Sequence, residues 1–198
     1  MPELTVSLPL WIISQIAIFL AVVLQVVAFQ IKNKTTMLFF AGTWSALIAI
    51  STGLLLNWVV CGILAISAVR NWVFAYFEHR RTKGKEVHQN ITLALFLLFS
   101  AFIIISVALT WVWWLDWVLL ATVLTISYGG YAKGIHIFRL GYIAYYSFVI
   151  VNHLVFFNVV GIAQSVLLLG AMAVFYFRFF KNKMKPKDEA ANASNNSK

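Results

Sequence analysis

The residues with chemistry to offer are few, and two pairs stand out. The stretch SAVRNWVF sets Arg70 beside Asn71 inside an unbroken apolar run from Leu54 to Phe77, and VNHL sets Asn152 beside His153 in a second apolar run. A guanidinium stays charged at any working pH and presents its donors in a planar fork, which suits a carboxylate, a phosphate or a hydroxyl-rich solute. Neighbouring amides could orient such a solute, and a histidine can titrate near neutrality. Gln25, Gln30, Asn158 and Gln164 complete the polar inventory. Arg70, Asn71, Asn152 and His153 are therefore the candidate substrate-binding residues. Each also has a plain structural reading: amides join helices inside membranes, and an arginine can snorkel to lipid phosphate or bond the carbonyls of a broken helix. The sequence leaves both readings open.

Other chemistries lack candidates. Apart from Asp116, no Asp or Glu falls within an apolar run, so a carboxylate proton relay has nothing to use. No Gly-rich phosphate loop, metal-spaced His/Cys set or Ser/His/Asp arrangement occurs. The last apolar run carries no lysine for a retinal Schiff base. Neither an enzyme nor a bound metal or cofactor is expected. Cys61 is the only cysteine, which excludes an intrachain disulfide and otherwise reads as filler.

Composition says what must position these residues. Of 198 residues 62% are hydrophobic and 11% charged, with a mean hydropathy of +0.88. One soluble core could not hide that much apolar surface, and apolar runs of about 20 residues read as bilayer spans. Seven are expected, at 8–31, 35–53, 55–77, 90–110, 113–132, 135–156 and 159–180. Ser51, Thr52, Gly53 and Asn57 are expected to form the turn between the second and third. Glu3, with no Lys or Arg before the first run, argues that this run is a span and not a signal peptide.

Charge orients the spans. Lys32 and Lys34 follow the first, Arg80, Arg81, Lys83 and Lys85 the third, Lys133 and Arg139 bracket the break after the fifth, and the remainder follow the seventh. Alternate breaks have none, so the positive-inside rule predicts the N-terminus outside and the C-terminus in the cytoplasm. WVWWLDW at 111–117 reads as an outer aromatic belt. A net charge of +9 then reflects topology and anionic lipid, with no nucleic-acid partner expected. Residues 181–198 form a polar tail without apolar periodicity, expected to be disordered.

At an offset of 99 residues, Lys34 faces Lys133, Leu38-Phe39 faces Ile137-Phe138, Gly42 faces Gly141 and Gly62 faces Gly161. Each half has a span, a basic break and a two-helix hairpin. The expected fold class is thus an all-α membrane protein in one domain over 1–180. Triple-helix bundles at 8–77 and 113–180 would be joined by a linker helix at 90–110, a parallel 3+1+3 repeat. Gly42, Ala46, Ala49 and Gly53 make a stripe of small residues on span 2, which predicts close interior packing.

LQVVAFQIKNKTTMLFFAG, AISAVRNWVF, YYSFVIVNHLVFFNVVG and FYFRF resemble the YgjV family of bacterial inner-membrane proteins. The resemblance covers spans 1–3 and 5–7. It implies a location in the bacterial cytoplasmic membrane and no established activity. A remoter similarity, in the helix plan alone, is to facilitators of the SWEET and PnuC type. Pro2, Pro9 and Pro186 all lie outside the interior spans, so the hinges expected of SWEET proteins are missing, and Gly42, Gly53, Gly141 or Gly161 would have to serve. The function expected on these grounds is a small-molecule facilitator or permease for a polar or anionic solute. The alternative is a non-transporting membrane protein with a structural, lipid-binding or regulatory role.

Overall fold

A computed structural model describes the backbone of residues 7–56, 58–110, 115–132, 134–155 and 159–195; within these ranges the side chains at 59, 110, 115, 116, 118, 119, 152, 153, 155, 159–161 and 182–195 are not described. The described chain is helical: α1 (Leu8–Gln30), α2 (Lys34–Leu54), α3 (Trp58–Thr82), α4 (Gln89–Thr110), α5 (Leu115–Tyr131), α6 (Ile135–Val155) and α7 (Val159–Asn195). Among the described residues, Leu8–Gln30, Lys34–Leu54, Val60–Thr82, Gln89–Leu109 and Ile162–Lys181 are long and apolar enough to cross a bilayer, and Ile135–Val151 is a shorter apolar helix.

The distribution of side chains is that of a chain embedded in lipid. The buried positions of α1 are Ser14, Ala17, Ala21, Gln25, Ala28 and Phe29, spaced by threes and fours along one face. Apart from Phe29, its large apolar residues mostly point outward, among them Ile13, Ile16, Phe19 and Val23. Small and polar residues inside with bulky apolar residues outside suit a helix bundle whose solvent is hydrocarbon.

Helix boundaries follow local chemistry. Pro9 sits in the first turn of α1, where its missing N–H costs nothing. Asn33 caps α2, its side chain accepting from the Thr35 N–H at 2.9 Å. The turn after α2 falls later than expected. Ser51, Thr52 and Gly53 remain helical, and the chain reverses at Leu55 and Leu56. Thr52 Oγ1 donates back to the Ile48 and Ala49 carbonyls, so its hydroxyl is satisfied within the helix and does not break it. The third helix also outruns its expected end. His79, Arg80 and Arg81 occupy its last turn, where cations favour the helix dipole. A Schellman closure ends it: Gly84, at φ 69, donates to the Arg81 carbonyl and Lys85 donates to that of Arg80. The backbone of α7 likewise continues past 180 to Asn195.

Around the bundle, α2 packs along α1 and α3, α6 along α5 and α7, α1 against α7, and α3 touches α5; α4 lies across α3 and α5. Six helices thus close on themselves with α4 outside. The small-residue stripe of α2 turns toward α3: a Cβ at Gly42 would stand 2.5 Å from the Trp72 ring, and one at Gly53 3.2 Å from Cys61 Sγ. Packing there is uneven, since Ala46, Ala49 and Gly53 also line an apolar groove of about 480 Å³ with Cys61, Ala65 and Ala68. The α5–α6 contact is tighter. A Cβ at Gly129 would stand 2.5 Å from Phe138 Cα, and one at Gly141 3.1 Å from Ile126 Cα. Gly42 and Gly141 therefore serve close packing against different neighbours.

Candidate functional site: a buried guanidinium between α3 and α5

Arg70 lies at the middle of α3, twelve residues from Trp58 and twelve from Thr82, or about 18 Å from either end at 1.5 Å per residue. The sequence placed it nearer the basic end because the helix was expected to stop at 77. Only 3% of the residue is exposed, so it does not snorkel to lipid. Nη1 donates to Ser127 Oγ on α5 at 2.5 Å, while Nε and Nη2 donate to Asn71 Oδ1 at 3.3 and 3.2 Å. Ser127 Oγ donates in turn to the Val123 carbonyl at 2.9 Å. The hydroxyl of Tyr142, on α6, faces both Arg70 and Asn71. Every named partner is neutral.

An aromatic cage adjoins this centre. Tyr142 and Tyr146 stack with centroids 6.2 Å apart and planes inclined by 19°. Phe29 meets both edge-on, and Trp44 meets Tyr142 at 6.4 Å. Gln25 Nε2, from α1, donates to the Tyr146 hydroxyl. Two polar atoms around the cage, Gln25 Oε1 and Trp44 Nε1, are buried without a partner, and Asn71 Nδ2 has only the facing Tyr142 hydroxyl. Native interiors satisfy nearly all such groups, so unpaired polar atoms gathered around one tyrosine pair are unusual.

Of the candidate residues, Arg70 and Asn71 share this centre. Asn152 and His153 belong to the backbone of α6, but their side chains lie outside the described residues, as do Lys133, Asn158 and the WVWW segment at 111–114. Along α6, Asn152 is ten residues beyond Tyr142, about 15 Å farther along the axis. Ser127, Trp44, Tyr142 and Tyr146 were not singled out in the sequence. Their one signal was the spacing of Tyr142 and Tyr146 by four, which puts both rings on one helical face.

Two further cations are drawn inside at the basic end. Lys34 Nζ donates to the Gly130 carbonyl at 3.1 Å and to that of Ala132, with the Glu78 carboxylate at 3.8 Å. Arg139 was expected to flank a break. It lies in the second turn of α6, 1% exposed, because its Nη2 donates to the Ile31 carbonyl and its Cζ sits 3.5 Å over the Phe175 ring. Just outside Lys34 is an open groove of about 800 Å³ whose lining includes Glu78, Arg81, Gln89, Tyr128, Tyr131 and Ala132. Glu78 also pairs with Arg81 at 3.6 Å. Among the described residues no group of three or more His, Cys, Asp or Glu could hold a metal.

No family model, curated protein or solved structure matches the chain. The functional reading therefore rests on the Arg70 centre alone.

Proposed function

We propose that the protein is a multi-pass facilitator or permease for a small polar or anionic solute, with the solute bound at Arg70 and Asn71 between two helical halves. The observation that carries the reading is a buried guanidinium whose named partners, Asn71 and Ser127, are neutral. Burying a cation without an anion is unfavourable by several kcal/mol even after relaxation, and such residues in membranes mark solute pathways. A carboxylate or phosphate would supply the missing charge. Asn71 Nδ2 could orient it, and the tyrosine pair could hold an apolar flank. Asn152 and His153 would form a second polar level of the same path.

The helix contacts support the two-half plan: exchanging α1 with α5, α2 with α6 and α3 with α7 maps each described adjacency among these six helices onto another. On the strength of the YgjV resemblance and the charge pattern, the protein is proposed to lie in a bacterial inner membrane. Its N-terminus would be outside and its C-terminus in the cytoplasm.

One observation favours the non-transporting alternative. The Arg70–Ser127 bond ties α3 to α5 directly, which is what a structural cross-link would do. Substitution separates the two. With a solute role, Arg70→Leu leaves a folded, inserted protein that has lost ligand binding, and Arg70→Lys retains part. With a structural role, Arg70→Leu lowers the melting temperature in detergent, since Asn71 and Ser127 lose their donor. Both variants should be melted alongside a metabolite-binding screen on the parent. Unchanged binding in Arg70→Leu refutes the solute role.

A further inference from the structure

The three cross-half bonds at the basic end have a reciprocal form. Lys34, at the start of α2, holds the Gly130 carbonyl in the last turn of α5 and the Ala132 carbonyl just past it. Arg139, near the start of α6, holds the carbonyl that follows α1. Each half thus contributes a cation from its middle helix to the C-terminal end of the other half's first helix, where orphan carbonyls and the dipole both favour positive charge. Gln30 Nε2 adds a bond to the Ala171 carbonyl of α7 at 2.7 Å. These bonds lie between the Arg70 centre and the basic face. The open groove outside them includes Glu78 and Ala132, both partners of Lys34, in its wall, and Glu78 is eight residues along α3 from Arg70, about 12 Å.

We propose that Lys34 and Arg139 form a paired gate that holds the basic face shut over the Arg70 centre, and that access from this face requires both to release. The proposal rests on reading that centre as a solute site. Its chemistry suits a switch. A cation on backbone carbonyls has no carboxylate locking it except Glu78, on its own half, so the Lys34 contact across the halves can break while the Lys34–Glu78 pair remains. Arg139 keeps Phe175, on α7 of its own half, as a cation–π partner after it leaves Ile31. Both cations therefore have a place to stay in an open form, which keeps that form within reach.

The test reads accessibility and needs no substrate. In a Cys61→Ser background, Ser127→Cys places a thiol beside Arg70. Vesicles are prepared with Arg80 and Arg81 facing outward, and a membrane-impermeant, sulfonate-bearing thiosulfonate is added. Labelling should be slow with the gate intact, faster in Lys34→Met and in Arg139→Met, and faster still in the double variant. The double should gain about tenfold or more, as a minor open state becomes a major one. Glu78→Gln leaves the cross-half bonds in place but removes the carboxylate that receives Lys34 in the open form, so it should label no faster than the parent. No acceleration in any folded Lys34 or Arg139 variant overturns the gate. The solute reading fails separately, on a blank binding screen, whatever the labelling shows.

Discussion

Gly129→Ala is the sharpest test of how α5 packs against α6. The added methyl would stand 2.5 Å from Phe138 Cα and 2.8 Å from Phe138 N, against the roughly 3.5–4.0 Å at which carbon atoms attract. Both obstacles are backbone, so no rotamer change relieves them, and α5 must move about 1 Å from α6. Overpacking of this kind costs about 1–3 kcal/mol. For a chain of this length each kcal/mol shifts Tm by about 2–4 °C, so a fall of about 2–12 °C is expected in detergent. Gly62→Ala and Gly170→Ala are the controls, because a Cβ at either meets nothing within 4 Å. Both sit inside helices, where alanine is favoured over glycine by about 0.5–1 kcal/mol, so both should melt at or above the parent. If Gly129→Ala melts with the controls, the close approach of α5 to α6 is wrong.

Three other outcomes are expected. Tyr146→Phe should cost about 1–3 kcal/mol by leaving the buried Gln25 amide without its acceptor; a denaturation midpoint equal to the parent's would refute that bond. Gly84→Ala should destabilise by about 1–2 kcal/mol, because φ 69 disfavours any side chain even in open space. Amide exchange should then quicken in the last turn of α3, and unchanged exchange at Lys83 and Lys85 would count against the closure. Reporter fusions after Lys34, near Lys83 and in the tail should report cytoplasm, while fusions near Gly53, Asp116 and Asn158 should report the outer face. A signal of opposite sign at any of these would overturn the orientation.

Helix positions were legible because hydrophobic length is a strong, local signal. The described helices begin and end close to the expected spans except where polar or basic residues extend them, as His79 to Thr82 extend α3. Arg70 stood out because an isolated charge in an apolar run has no local partner. Arg139 misled for the opposite reason. It sits five residues after Gly134, close enough to a polar break to read as a flanking charge, and only the approach of α1 and α7 shows that its head is buried. Tyr142 and Tyr146 offered only their spacing by four, since a tyrosine in a span looks the same whether it meets a headgroup or a buried glutamine. The α2–α3 turn slipped to Leu55 and Leu56 because Thr52 can close its hydroxyl on its own helix.

The inner face of α1, built from Ser14, Ala17, Ala21, Gln25 and Ala28 with Phe29 as its one large apolar residue, bears on how the bundle responds to heat. A soluble domain hides hydrocarbon on folding, and the hydration released gives its stability a curved temperature profile. Here the hydrocarbon already lies outside against the acyl chains, so separating α1 from α7 inside the membrane exposes little new apolar surface to water. The heat capacity of that separation should be small, leaving a nearly straight profile with no low-temperature loss of structure.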